Sequence, residues 1–458
     1  MDSNHRLLTY PISYLVYTLK GTHNSTAILL LTTSLTYVPA YWYNHYYSKH
    51  RQVKATLPTS DDLNAFIVYS GLALSLCSNG LWVFASLFLV ALTYAMCYLF
   101  GESPQHRATA GYLAWIVHGV YLLRVYYSST YNNYDIAWTM PQCMVCLRLM
   151  GLTFDYMNTD DDTTSISQRP KPMVDTRLYT LPSISQWFGY CFFPAPFLVG
   201  PQFSFNLYHR WIKNPPFSGI DVTDWDEAYK GQWRYLIRCV LLAAAFFSLQ
   251  QVFGAAYEPS HLLSKEYQQF SFLHRSLVLL ITGKFIYNKY IGIWLLSEGA
   301  YVLYGVTYGG EDADGHPLFG CFTNVQPWKY LTAITINDVI ESFNININVW
   351  VDYYVFKQSR WFIQNEAICQ SLSLMLLTVW RGCLHLNDVI TFFLIFYYTR
   401  CETAIKRRLS SITVCPYVWT AYKSVYFIGH LMIPLILVLD RLIPRKHVPI
   451  KNRNQKIA

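Results

Sequence analysis

Four stretches of this chain carry no Asp, Glu, Lys or Arg: between Lys20 and Lys49, Asp62 and Glu102, Arg177 and Arg210, and Arg238 and Glu258. A helix crosses the hydrocarbon of a bilayer in about 20 residues, so each stretch is long enough to span. The one beginning at Asp62 has room for two crossings around a turn at Ser78-Asn79-Gly80. Composition agrees: 14% of residues are charged, about half the usual share, against 53% hydrophobic and 17% aromatic. The expected fold is an all-α polytopic membrane protein of about ten to eleven transmembrane or re-entrant helices. Candidate spans include residues 26–42, 63–76, 81–99, 108–123, 136–154, 184–205, 239–256, 277–296, 367–380, 389–398 and 425–439.

Several of these segments are short or interrupted, as at Phe193-Pro194-Ala195-Pro196 and Gly200-Pro201. Membranes tolerate such backbone only where protein or a water-filled cavity satisfies the freed polar groups, which points to a chamber enclosed by the helices. The chain is expected to form one integral-membrane unit over residues 1–458, ending in a basic tail at residues 441–458. The N-terminal MDSNHRLLTYP has no signal-peptide pattern, so the first apolar segment is expected to be retained. Net charge is +8, concentrated in Lys406-Arg407-Arg408 and in that tail. Basic residues beside spans set topology and attract anionic headgroups, which places the C-terminus in the cytosol and implies a bilayer, not nucleic acid, as partner. Residues 208–234 mix tryptophans with both signs of charge and read as an amphipathic segment at the headgroup level.

Motifs of soluble enzymes are absent: no phosphate-binding glycine loop, dinucleotide fingerprint, HExxH or nucleophile elbow occurs. Cys143 and Cys146 have the spacing of a metal or redox half-site, but no second pair completes it, so they read as core volume and no metal is expected. Polar groups within apolar surroundings are the remaining chemical candidates. Asn344, Asn346 and Asn348 alternate with Ile345 and Ile347, and His118, His385 and His430 lie in apolar context.

Four segments in order, YNNYDIAWTMP (131–141), FLVGPQFSFNLY (197–208), TGKFIYNKYIGIWLLSEG (282–299) and SFNININVWVDYYVFK (342–357), resemble the membrane-bound O-acyltransferase family, and within it the lysophosphatidylcholine type of lysophospholipid acyltransferase. The resemblance implies an endoplasmic-reticulum enzyme with a helical chamber. Acyl-CoA enters as co-substrate from the cytosol and a lysophospholipid enters from the bilayer. The lysolipid hydroxyl attacks the thioester, CoA leaves, and no further cofactor is needed. A homodimer is compatible with it. Asn344 matches the family's site asparagine. Trp380, Trp138, Pro141 and Gln202 are assigned to substrate binding, and Lys357 and Arg360 to the CoA phosphates.

The resemblance also implies a base histidine directly after Trp380, and here the residue is Arg381. A guanidinium stays protonated and cannot accept the hydroxyl proton. The next histidine is His385, 41 residues after Asn344, whereas Arg381 follows Asn344 by 37, close to the family's spacing. Three readings fit: an active enzyme using His385 as base and Asn344 as hydrogen-bonding partner, with Arg381 holding a phosphate or headgroup; an impaired homologue that binds lipid or acyl-CoA; and a polytopic transporter.

Overall fold

The computed structural model describes residues 25–53, 58–101, 103–129, 139–157, 176–195, 200, 202–254, 257, 259–333 and 336–380. Among these, every regular element is helical, and the only β-structure is two isolated bridges, Glu311 to Pro317 and Val325 to Phe343. The expected spans at 389–398 and 425–439, the acidic loop at 158–175 and the basic tail lie outside the described residues.

The first expected span is two helices, α1 (Ser25–Leu35) and α2 (Tyr37–Val53), not one. The Thr33 and Thr36 hydroxyls bond back to the carbonyls of Leu29 (2.8 Å) and Thr33 (2.6 Å), and Pro39 in the first turn of α2 lacks an N–H to continue the ladder. Next come α3 (Ser60–Asn79), α4 (Val83–Phe100), α5 (Pro104–Ser129) and α6 (Thr139–Met157). Thr59 and Asp62 form a reciprocal capping box at the start of α3. The helix stops at Gly80, whose φ of 53° favours glycine, and a 3₁₀ turn over Gly80–Trp82 leads into α4. The break therefore falls at the Ser78-Asn79-Gly80 turn.

Among the described residues, the segment 184–205 is interrupted where the sequence places the break, and its helical part is shorter than a span: the short α7 (Ile184–Cys191) gives way to irregular chain at residues 192–195, and Ser204 caps a new helix, α8 (Phe205–Lys213), by accepting from the Leu207 N–H at 3.4 Å. The expected amphipathic stretch 208–234 likewise divides, between α8 and the start of α9 (Trp225–Phe253). Asp224 begins α9 by accepting from the N–H groups of Asp226 (2.8 Å) and Glu227 (3.1 Å). Beyond it lie α10 (Lys265–Gln269), α11 (Phe272–Leu303), α12 (Pro327–Leu331), α13 (Ile336–Ser342), α14 (Ile345–Val351), a π-helical turn (Asp352–Phe356), α15 (Lys357–Phe362) and α16 (Glu366–Trp380).

Two described stretches are long and apolar enough to cross a membrane, the 41 residues of Ser60–Phe100 and the 29 of Trp225–Phe253. Phe84, Phe88, Ile116, Val120, Leu241 and Val252 all face outward. Such a belt is costly in water and costs little against acyl chains.

Between helices the glue is polar and aromatic, as expected where lipid offers no hydrophobic drive for association. Asn44 on α2 donates to Gln232 on α9 (2.7 Å), whose Nε2 donates to the Val302 carbonyl on α11 (2.6 Å). Gln142 on α6 donates to Ser86 on α4 (2.7 Å) and accepts from Tyr121 on α5 (3.2 Å). His118 shares a 2.9 Å hydrogen bond with Thr93 and is fully buried, a packing role for one of the three apolar-context histidines. An aromatic core joins Tyr43, Phe193, Trp211, Tyr301 and Tyr304, with Phe193 and Tyr304 centroids 4.9 Å apart. Pairs of this kind contribute about 0.5–1.5 kcal/mol beyond their burial.

A buried asparagine cluster as candidate active site

The chain leaves α13 at Ser342 and reaches α14 through Phe343 and Asn344. Asn344 adopts φ 55° and ψ 43°, the left-handed region that asparagine enters more readily than most residues. The loop before α12 holds this corner in place. The Gln326 N–H donates to the Ser342 carbonyl (2.8 Å), and the Ile345 N–H donates to the Asn324 carbonyl (3.0 Å).

Side chains complete the clasp. Oδ1 of Asn324 accepts from the Asn346 N–H (3.1 Å) and from its Nδ2 (3.2 Å), which also lies near the carbonyls of Phe322 (3.3 Å) and Thr323 (3.4 Å). Asn348 donates to the carbonyls of Ile340 (2.7 Å) and Phe343 (3.0 Å). Two members of the asparagine row are thus committed to the backbone. Asn344 differs. It is buried, its Oδ1 lies 3.5 Å from Nδ2 of Asn324, and its own Nδ2 donates to no described residue. An amide donor left open in this way on a residue otherwise 9% exposed can meet an oxygen that arrives with a substrate.

Helix α6 is the platform beneath. Ile347, Trp350 and Val351 pack on Leu147 and Met150, and Trp350 stacks on Trp115 at 5.8 Å. Gly151 makes this approach possible, because a Cβ there would sit 3.1 Å from Nε1 of Trp350. Tyr354 in the π-helical turn donates to Asp155 of α6 at 2.8 Å. The turn's i→i+5 bond runs from the Lys357 N–H to the Asp352 carbonyl, and the side chains of the same two residues form an ion pair at 2.7 Å.

Of the residues singled out in the sequence, Pro141 and Gln202 are buried at α6 and beside it. Gln202 donates to the Met144 carbonyl (3.1 Å) and accepts from Nε of Arg148 (3.4 Å). Its neighbour Phe203 meets Phe322 edge-on at 6.2 Å, and the Phe322 carbonyl is one that Asn346 approaches, so the Gln202 and Asn344 regions adjoin. Lys357 is occupied by Asp352, and Arg360 is exposed, donating to the Gln364 carbonyl at 3.2 Å. Trp380 ends α16. The side chain of Trp380, and Trp138, Arg381 and His385 in full, lie outside the described residues.

Sequence reasoning missed Asn324, Tyr235, Thr323 and Glu298. For Glu298 a signal existed: it is an acidic residue in the apolar end of the 282–299 segment. Asn324 had none, since an asparagine in a polar loop is ordinary. Among the described residues no group of three or more His, Cys, Asp or Glu is placed to hold a metal.

Three of the relatives align over most of this chain. Lysophospholipid acyltransferase 5 of Bos taurus is 29% identical over 432 residues, 86% of each chain. Its Drosophila melanogaster namesake is 32% identical over 370 residues, covering 79% of this chain and 70% of its own. The Homo sapiens protein of the same name is 27% identical over 467 residues, 94% of this chain and 91% of its own. The MBOAT family profile matches residues 123–437, which include α6, α11, the Asn324 loop and the asparagine corner. The chain belongs to the membrane-bound O-acyltransferase family.

Proposed function

We propose that this protein transfers the acyl group of acyl-CoA to the free hydroxyl of a lysophospholipid, in phospholipid remodelling. The relatives named for lysophospholipid acylation and the length over which they align support that reaction class. The observation that carries it to a site is Asn344, buried in a left-handed corner with its Nδ2 open.

The lysolipid hydroxyl oxygen attacks the thioester carbonyl carbon, and His385 accepts the hydroxyl proton. Asn344 donates to the carbonyl oxygen as negative charge develops there. When the tetrahedral intermediate collapses, the C–S bond breaks, the new ester remains, and the proton passes from His385 to the CoA thiolate. Arg381 holds a phosphate near Trp380. Trp138, Pro141 and Gln202 shape the wall, and Lys357 and Arg360 draw the CoA phosphates, Lys357 by exchanging its exposed Asp352 partner. No metal or redox cofactor takes part. The protein resides in the endoplasmic-reticulum membrane with ten to eleven helices (about 20 residues per crossing) around a chamber, its C-terminus in the cytosol, and the same interior serves in a monomer or a homodimer.

Acyl transfer from labelled acyl-CoA to lysophospholipids, measured in membranes carrying wild type, Asn344→Ala, His385→Ala or Arg381→His, tests this. Transfer by wild type and its loss in the first two variants are expected. Full activity in His385→Ala removes that residue from the mechanism. Inert wild type that Arg381→His activates identifies an impaired homologue, and acyl-CoA that stays intact in both discards transfer.

A further inference from the structure

Glu298 is 1% exposed on α11, and no described cation lies within ion-pair distance of it. Its Oε1 accepts from the hydroxyls of Tyr235 on α9 (2.6 Å) and Thr323 (2.8 Å), which are themselves 3.1 Å apart. Oε2 makes no hydrogen bond of normal geometry to a described residue, with the Asn324 backbone beside it as a favourable dipole. A carboxylate buried this deeply persists where it is paired or used.

The location indicates the use. Thr323 and Asn324 are consecutive, and between them they bind the Asn346 side chain, the Asn346 N–H, the Ile345 N–H and Oδ1 of Asn344. Every polar tie that sets the left-handed corner on this side passes through a loop whose inward anchor is Glu298. The preceding residue anchors the other loop: Ser297 Oγ lies 3.1 Å from the Ala195 carbonyl and 3.0 Å from the Gly200 carbonyl, at the chain leading to Gln202. One turn of α11 thus fixes both irregular segments that flank α6.

We propose that Glu298 is a positioning residue for acyl transfer, acting through Thr323 and Asn324 to hold the Asn344 carboxamide in its working orientation. The proposal rests on Asn344 belonging to the transfer site. Oε1 takes both hydroxyls as donors, and Oε2 faces the Asn324 backbone. An amide of the same shape has to turn its NH2 toward one of these donors, which loosens the loop without emptying the space.

Full-length Glu298→Gln, Thr323→Val and Thr323→Ser, purified in detergent, separate this role from a purely structural one. Glu298→Gln and Thr323→Val are expected to lower kcat on the order of 10- to 100-fold, the scale of displacements of about 1 Å, while KM for acyl-CoA stays within about twofold. Thr323→Ser, which keeps the hydroxyl, is expected to retain most of kcat. Hydrogen–deuterium exchange is expected to quicken at residues 342–348 in the first two variants and not in Thr323→Ser, with α5 and α6 unchanged. Wild-type kcat in Glu298→Gln, or losses accompanied by faster exchange throughout the protein, overturns the proposal. Should wild type transfer nothing to lysophospholipid, the proposed function falls alone, and exchange at 342–348 still decides: acceleration confined to that segment upholds the positioning role, and unchanged exchange ends it.

Discussion

Oδ1 of Asn324 accepts two hydrogen bonds from one residue, the backbone N–H of Asn346 at 3.1 Å and its side-chain Nδ2 at 3.2 Å. Asn324→Ala removes the acceptor of the Asn346 N–H, while Nδ2 of Asn346 keeps the Phe322 and Thr323 carbonyls. Leaving one such donor unpaired costs about 1–3 kcal/mol when it is shut off from water, so this variant is expected to lower the melting temperature in detergent. Asn324→Asp keeps the acceptor and gives up only the donor facing Asn344, and is expected to melt closer to wild type.

Asn344 combines an unusual backbone with an open side chain, and substitutions can take these apart. Asn344→Ala removes the amide and also places a Cβ-bearing residue with no compensating polar group at φ 55°. The left-handed conformation costs such a residue about 1–2 kcal/mol. Asn344→Gly removes the amide and leaves the backbone at ease. Both variants are expected to lose acyl transfer to a similar extent, with Asn344→Gly the more thermally stable. Activity preserved in the glycine variant would show that the corner, not the carboxamide, is what the site requires.

Glycines separate packed faces from open ones. A Cβ on Gly71 would fall 1.7 Å from the Phe192 carbonyl oxygen, a backbone atom that cannot step aside, whereas one on Gly119 meets nothing within 4 Å. Gly71→Ala is therefore expected to abolish recovery of folded protein. Gly119→Ala is expected to be neutral or to stabilise by about 0.5–1 kcal/mol, the helical preference of alanine over glycine. Fluorescence-detected size exclusion of the two variants side by side checks the pair.

At the surface, Glu311 takes hydrogen bonds from both the hydroxyl and the N–H of Thr223, the latter at 2.9 Å, and these hold its carboxyl below the usual range. Because the folded-state pKa is depressed, the contact's contribution is complete above the ordinary glutamate pKa of 4.5 and fades as pH falls through the lower folded value. Protease cleavage at residues 219–224 is expected to rise in acid, measured with an acid-active protease. Glu311→Gln is expected to show the raised cleavage already at neutral pH.

The charge-free windows made the helical membrane fold legible, because a water-facing helix of that length needs charged or polar residues along one side and these stretches carry no charge at all. Gly80 was legible for a similar reason: turn chemistry is local. The break in 184–205 was legible at Pro194, but the shortness of its helical part was not, since the average of the segment is strongly apolar. At the site, the asparagine row identified the corner but not which asparagine stays open. Asn346 and Asn348 are disqualified by carbonyls contributed from residues 322, 323, 340 and 343, and such partners emerge only when the chain folds back. Glu298 meets the cluster through a loop 25 residues further on, at Thr323, and no spacing rule links them.

The π-helical turn at Asp352–Phe356 bears on how this segment can change over generations. It holds one more residue than an α-helical turn, and in an α-helix each residue advances the side-chain direction by about 100°. A chain shorter by one residue here would still seat Ile347 and Trp350 on α6, and the bond from the Lys357 N–H to the Asp352 carbonyl would become an ordinary i→i+4 bond, leaving Lys357 and Arg360 facing as they do now. This turn therefore absorbs a one-residue difference in length instead of passing it on as a rotation. Two homologues that differ by one residue at this place can present the same residues to the same partner.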